Sequence, residues 1–305
     1  MSSSTSKNIY IGIGLAVLTT FIWSGNFIVA RSVIKDIPPI SLAFFRWSLA
    51  TIIIFPFAIS ALKKEWTTIR QSWHYLFWVA LTGIALFNTF VYVGGHYTSA
   101  INLALIGTTS SPIMANILAR IFLKEKIGWF KIVGIALCIT GVLFLLSKGD
   151  YHNLLTFKFS EGDLWVLLGA FCFAVYNVLI RKKPAAISPP SFLFSIFFIG
   201  TIMLFPFFTW ESGQGNSISW SWPLAGVILY LGVGASVICY LLWNSAIQKL
   251  GAGRTALFGN LIPIFSTSEA VLWLHEKFTI NHVISMVIVL TGLLVANLPL
   301  FFKEK

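Results

Sequence analysis

Residues 101–123, INLALIGTTSSPIMANILARIFL, and residues 252–274, AGRTALFGNLIPIFSTSEAVLWL, decide how this chain folds. Each is apolar over a length that spans a bilayer as a helix, yet each carries a central proline, Pro112 or Pro263, among hydroxyls and amides. A shift of 151 positions superposes one on the other. The same shift places Asn26 on Asn177, Pro38-Pro39 on Pro189-Pro190, Glu125-Lys126 on Glu276-Lys277 and Gly141 on Gly292. Scarce residues do not coincide this way by chance, so the chain is a duplication, with repeats at residues 1–150 and 151–305.

Working outward, ten apolar segments can be cut from the sequence: roughly 10–31, 40–61, 74–95, 101–123, 128–147, 163–181, 190–209, 223–245, 252–274 and 280–301. Each repeat therefore holds five, and an odd number forces the second copy into the membrane upside down. Composition agrees: 57% hydrophobic and 10% charged residues exclude a soluble core with a solvated shell. The expected fold is an all-α integral membrane protein of ten transmembrane helices, arranged as two inverted five-helix repeats. The first apolar run is too long for a signal peptide and is read as a span.

Fifteen Lys and Arg fall on the amino-terminal side of these spans and five on the other, which predicts that both termini are cytoplasmic. The same bias explains the net charge of +11 without a nucleic-acid partner, because the basic residues are dispersed over short segments. Cys138, Cys172 and Cys239 sit inside predicted spans with no paired spacing, so neither a disulfide nor a metal site is expected. The sequence has no phosphate-binding loop, GxSxG elbow or HExxH motif, and the histidines lie near span ends. No enzyme activity and no cofactor are expected. The partners are the lipid bilayer and a small-molecule substrate.

Proline removes a backbone donor, and the carbonyl it frees in lipid must be satisfied by protein or cavity water. Pro112 and Pro263 at matching mid-span positions therefore predict helix breaks around a midplane cavity. Thr108, Ser111 and Asn116 in the fourth span, with Asn260, Ser266 and Thr267 in the ninth, are placed to line it. Asn26 and Asn177 offer amides at equivalent places, for a ligand or for an interhelical hydrogen bond.

Glu269 is the only acidic residue deep within a predicted span, and an unpaired charge there is costly. Counting helix rise places Glu269 and Arg46 both about 10 Å below the same surface, within reach of a charge pair. The alternatives for Glu269 are binding a substrate ammonium or coupling to protons. Trp129, Trp210, Trp220 and Trp222 fall at span ends, as an interfacial belt requires. Gly134 and Gly141 match Ser285 and Gly292, so the fifth and tenth spans are read as scaffold or as contacts of a homodimer.

The pattern as a whole resembles the drug/metabolite transporter superfamily, in its ten-span EamA-type branch. The resemblance is carried by Trp23-Ser24-Gly25-Asn26-Phe27, Pro38-Pro39 followed by Arg46, Tyr97-Thr98-Ser99-Ala100 leading to Pro112, and Leu123-Lys124-Glu125-Lys126. The second half echoes it in Tyr176-Asn177, Gly251-Ala252-Gly253-Arg254, Pro263 and Leu274-His275-Glu276-Lys277. It implies a bacterial inner-membrane exporter of amino acids or related small metabolites, with a cavity lined by the first, third, fourth, sixth, eighth and ninth spans. Trp23, Tyr92, Trp165, Tyr176 and Tyr240 fall in those spans and offer flat walls to an aromatic ligand. The resemblance implies an apolar residue at Glu269, so this chain departs there. A passive channel, a drug- or nucleotide-type carrier and a non-transporting scaffold stand as the alternatives.

Overall fold

The computed structural model describes residues 3–124, 128–150, 152, 160–215, 217–250, 255 and 258–302. The motif residues Glu125, Lys126 and Gly251 to Arg254 lie outside the described residues. The helices are α1 (Ser3–Ser32), α2 (Pro39–Gln71), α3 (Trp73–Gly95), α4 (Ala100–Phe122), α5 (Trp129–Leu146), α6 (Glu161–Ile180), α7 (Pro189–Gly213) and α8 (Trp222–Leu250). A 3-10 turn, Gly259–Leu261, leads into α9 (Ile262–Leu274), and α10 (Ile280–Phe302) follows. Segments from α1 through α8 are long and apolar enough to cross a membrane, and α10 carries the shorter apolar stretch Ile280–Ala296. Phe57, Ile202, Phe207, Leu272 and Val287 face outward, as lipid requires. Trp129, Trp210, Trp220 and Trp222 are exposed at helix ends.

Helix starts are set by local chemistry. Proline opens α2 and α7, where its missing donor costs nothing. The Ser99 hydroxyl accepts from the Asn102 N–H at the start of α4, and Ser160 with Asp163 forms a capping box on α6. Carboxylates reach across the bundle to other starts: Glu211 of α7 accepts from the N–H of Ile40 and Ser41 (3.1 and 2.7 Å). Glu65 of α2 accepts from the Ser188 N–H at 3.0 Å, and Glu276 accepts from Ala100 and Ile101 (2.7 and 3.1 Å). Each places negative charge where a helix leaves donors unsatisfied.

The largest helix contacts are kept when the two halves are exchanged. α5 packs on α10, α2 on α7 and α4 on α9, each a helix against its own counterpart. The remaining large contacts come in matched pairs, α1–α9 with α4–α6, and α1–α8 with α3–α6. At the α5–α10 seam the backbones nearly touch: a Cβ added at Gly134 would lie 2.5 Å from the Gly292 carbonyl, and one at Gly141 2.7 Å from Val289. These small residues are spent on a contact within the chain.

Regular helix gives way at two equivalent places. Leu81–Leu86 in α3 and Tyr230–Ile238 in α8 are π-helical, and the 151-residue shift carries the first onto the second. A tyrosine meets a glycine at each: Tyr176 of α6 packs on Gly83 of the first, and Tyr230 of the second packs on Gly25 of α1.

Among the described residues, the end of the bundle away from the chain termini is shut. Ser24 to Ala30 of α1 are all buried there, as are Ala100 to Ser111 of α4 apart from Asn102 and Thr108. Toward the other end, Trp23, Tyr240, Asn244, Phe258 and Asn260 keep partial exposure.

Candidate functional site

Arg46 projects from α2 into the bundle at 5% exposure. Its Nη1 donates to Asn26 Oδ1 (2.6 Å), Asn88 Oδ1 (2.8 Å) and Tyr92 Oη (2.7 Å), and its Nε donates to Ser236 Oγ (3.1 Å). The Tyr92 hydroxyl donates in turn to Asn26 Oδ1 at 3.0 Å. The guanidinium lies 4.6 Å over the Trp47 ring. Ser236 falls in the π segment of α8, whose irregular backbone brings its hydroxyl to the guanidinium. One cation thus ties α1, α2, α3 and α8 together through four neutral partners.

Aromatic rings continue the wall. Trp23 lies 6.3 Å from Tyr240 and 5.1 Å from Trp243, and its indole N–H donates to the Ala235 carbonyl (2.9 Å). The hydroxyls of Tyr176 and Tyr240 are 3.0 Å apart, joining α6 to α8. Phe197 bridges Trp47 and Tyr240 at 4.9 and 6.0 Å. The halves are unlike here, because the repeat shift sets Phe197, Cys239 and Trp243 where the first half has Arg46, Asn88 and Tyr92.

Glu269 occupies a different place. It is 4% exposed, its Oε1 accepts from Ser24 Oγ at 2.7 Å, and its Oε2 has no hydrogen-bond partner among the described residues. The expected charge pair with Arg46 does not form among the described residues. The cause is azimuth: Ser24 holds Glu269 and Asn26 holds Arg46, and residues two apart on a helix point about 200° away from one another. α1 therefore stands between the charges. Tyr230, whose hydroxyl donates to the Ile22 carbonyl, sits within electrostatic reach of both.

Of the residues read from the sequence, the structure joins Asn26, Arg46 and Tyr92 in one hydrogen-bonded cluster and Trp23, Tyr176 and Tyr240 in an adjoining aromatic one. Asn177 instead donates to Phe173 of its own helix, and the Thr108 and Ser266 hydroxyls bond back to Ala104 and Ile262. Asn116 donates to the Pro112 carbonyl and accepts from Lys131 near a helix end, and Trp165 donates to Glu161 in the first turn of α6. Ser111 is buried without a hydrogen-bond partner among the described residues, and Asn260 sits in the 3-10 turn. The backbone does change at Pro263, which stands at the start of α9 behind that turn. At Pro112 it does not: α4 runs as one helix from Ala100 to Phe122, with the proline on its exposed side. Asn88 and Ser236 were not singled out by sequence, since one amide or hydroxyl in an apolar run reads equally well as a packing bond.

Two inverted sets of apolar helices around a buried cation and an aromatic wall make a polytopic membrane transport protein. The chain belongs to the EamA-like transporter family, whose model matches residues 10–147 and again 160–298. It is 30% identical to "Uncharacterized transporter YyaM" of Bacillus subtilis (strain 168), covering 95% of this chain and 93% of that one. An "Uncharacterized transporter" of Archaeoglobus fulgidus is 29% identical, over 91% and 94% of the two chains. A "Probable amino-acid metabolite efflux pump" of Escherichia coli (strain K12) is 23% identical, over 92% of each. A protein of known crystal structure shares the fold with a TM-score of 0.63 at 17% identity, over 98% of this chain and 99% of that one. The protein is a transporter rather than an enzyme.

Proposed function

We propose that this transporter exports amino acids, aromatic ones included, or related small metabolites from the bacterial cytoplasm by alternating access. Both termini lie in the cytoplasm in this reading, so the shut end of the bundle faces the periplasm and the described conformation opens inward. The observation that carries it is the polar cluster of Arg46, Asn26 and Tyr92 beside the aromatic cluster of Trp23, Tyr176 and Tyr240, which in this reading form the walls of the transport chamber. The Escherichia coli relative, a probable amino-acid metabolite efflux pump, has the same direction and substrate class. Glu269 serves proton coupling, because its partnerless oxygen lies on the opposite face of α1 from the chamber.

Counterflow tests this in vesicles reconstituted with the full-length chain and a labelled amino-acid panel. Saturable exchange of at least one member is expected. Glu269→Gln should retain exchange and lose accumulation driven by a pH gradient. No exchange of any panel member by correctly inserted protein would remove the amino-acid reading, and gradient-driven accumulation by the variant would remove the coupling role.

A further inference from the structure

Arg46 is nearly sealed from solvent and meets no counter-charge among the described residues. All four of its hydrogen-bond partners are neutral, and Glu269 lies behind α1 on Ser24. Nη1 has two protons for three acceptors, while Nη2 has no partner among the described residues and is not closed off by neighbouring atoms. A buried guanidinium in a low-dielectric interior is stable when paired, and neutral oxygens with one indole face supply only part of that. The second repeat offers no compensation, because Phe197, Cys239 and Trp243 stand at the positions equivalent to Arg46, Asn88 and Tyr92.

We infer that the transported molecule itself brings the missing negative charge, through a carboxylate oxygen that accepts from Arg46 Nη2. Asn26, Asn88 and Ser236 then act as positioning residues: they fix Nη1 and Nε, which leaves Nη2 as the one nitrogen aimed at cargo. The apolar body of the cargo lies along Trp23, Tyr240 and Trp243. A charge-assisted bond to a preorganised guanidinium strongly favours an acid over its neutral or cationic analogues. The substrate class is accordingly an organic carboxylate, and an α-ammonium group is not what the chamber reads. This rests on the carrier reading given above.

The test is inhibition of exchange in reconstituted wild-type protein by compounds that share one side chain: phenylalanine, phenylalaninamide, phenethylamine and 3-phenylpropionate. The two carboxylates are expected to inhibit at least about tenfold better than the amide and the amine, the discrimination of one charge-assisted bond. Arg46→Lys should keep the order of preference with weaker binding, and Arg46→Gln should bring acid and amide within about twofold. Equal inhibition by acid and amide in the wild type, or an undiminished acid preference in Arg46→Gln, overturns the inference while leaving a carrier. Absence of all exchange removes the carrier reading and the inference together. The wild-type series decides the matter even where Arg46→Gln does not fold.

Discussion

Glu276 holds the shut end of the bundle, and replacing it with glutamine should let that end open. Its carboxylate, just beyond α9, accepts from the first two N–H groups of α4 at 2.7 and 3.1 Å. Glutamine keeps one acceptor oxygen and nearly the same shape, but loses the second bond, the charge and the interaction with the positive helix end. A hydrogen bond to a charged group contributes about 1.5–3 kcal/mol against about 0.5–1.5 for a neutral one, and a charge at a helix start adds about 0.3–1 kcal/mol. The net loss is about 1–2 kcal/mol, which shifts a two-state equilibrium roughly 5- to 30-fold. Spin labels at Tyr97 and Trp273, both exposed on the elements that Glu276 joins, report the separation by pulsed dipolar spectroscopy. Wild type should give one dominant short distance, and Glu276→Gln should add a longer one with substantial population. An unchanged distance distribution in a well-folded Glu276→Gln protein would refute the reasoning, since it would mean that packing of α4 on α9 closes this end without the carboxylate.

Gly134→Leu should force α5 from α10, because even a Cβ there meets the Gly292 carbonyl at 2.5 Å and Ala296 at 2.6 Å. Overpacking of this kind costs about 1–3 kcal/mol, read as a lower unfolding temperature in detergent; an unchanged temperature would show that the seam yields. Tyr176→Phe removes the bond to the Tyr240 hydroxyl and should cost about 1 kcal/mol while exchange persists; complete loss of exchange would give that hydroxyl a larger role than joining α6 to α8. His96, between α3 and α4, has its imidazole held below the usual value of 6.5 by burial and then by the Arg31 guanidinium, with Glu211 opposing. The unfolded chain therefore binds this proton more readily, so stability is full above pH about 6.5 and falls as the pH drops below it. His96→Gln should flatten that decline, and an unaltered pH profile would assign it to other groups.

The helix count and the inversion were legible because prolines and glycines recur at a fixed spacing and because five is odd. Depth was legible too, since rise per residue converts sequence position to distance from a helix end, and Arg46 and Glu269 are both buried within the bundle. Azimuth was not. Whether two residues at one depth meet depends on which neighbours surround α1, and Ser24 and Asn26 assign the two charges to opposite faces. The same gap explains Asn177, whose position matches Asn26 but which meets no cation, because Phe197 stands where Arg46 would be. Pro112 and Pro263 match in sequence yet differ in backbone, for one lies within a continuous helix and the other at a helix start. Duplication preserved the frame while letting side chains diverge, and only the frame repeats in the sequence.

The contacts α5–α10, α2–α7 and α4–α9 join each helix to its own counterpart. They therefore lie on the pseudo-twofold axis that relates the halves. Any rearrangement in which each half takes up the other's shape maps these three seams onto themselves, whereas α1–α9 must trade geometry with α4–α6, and α1–α8 with α3–α6. In such an exchange the axis seams would stay in place, with the glycine-tight α5–α10 seam as the fulcrum about which α1, α3, α6 and α8 would move.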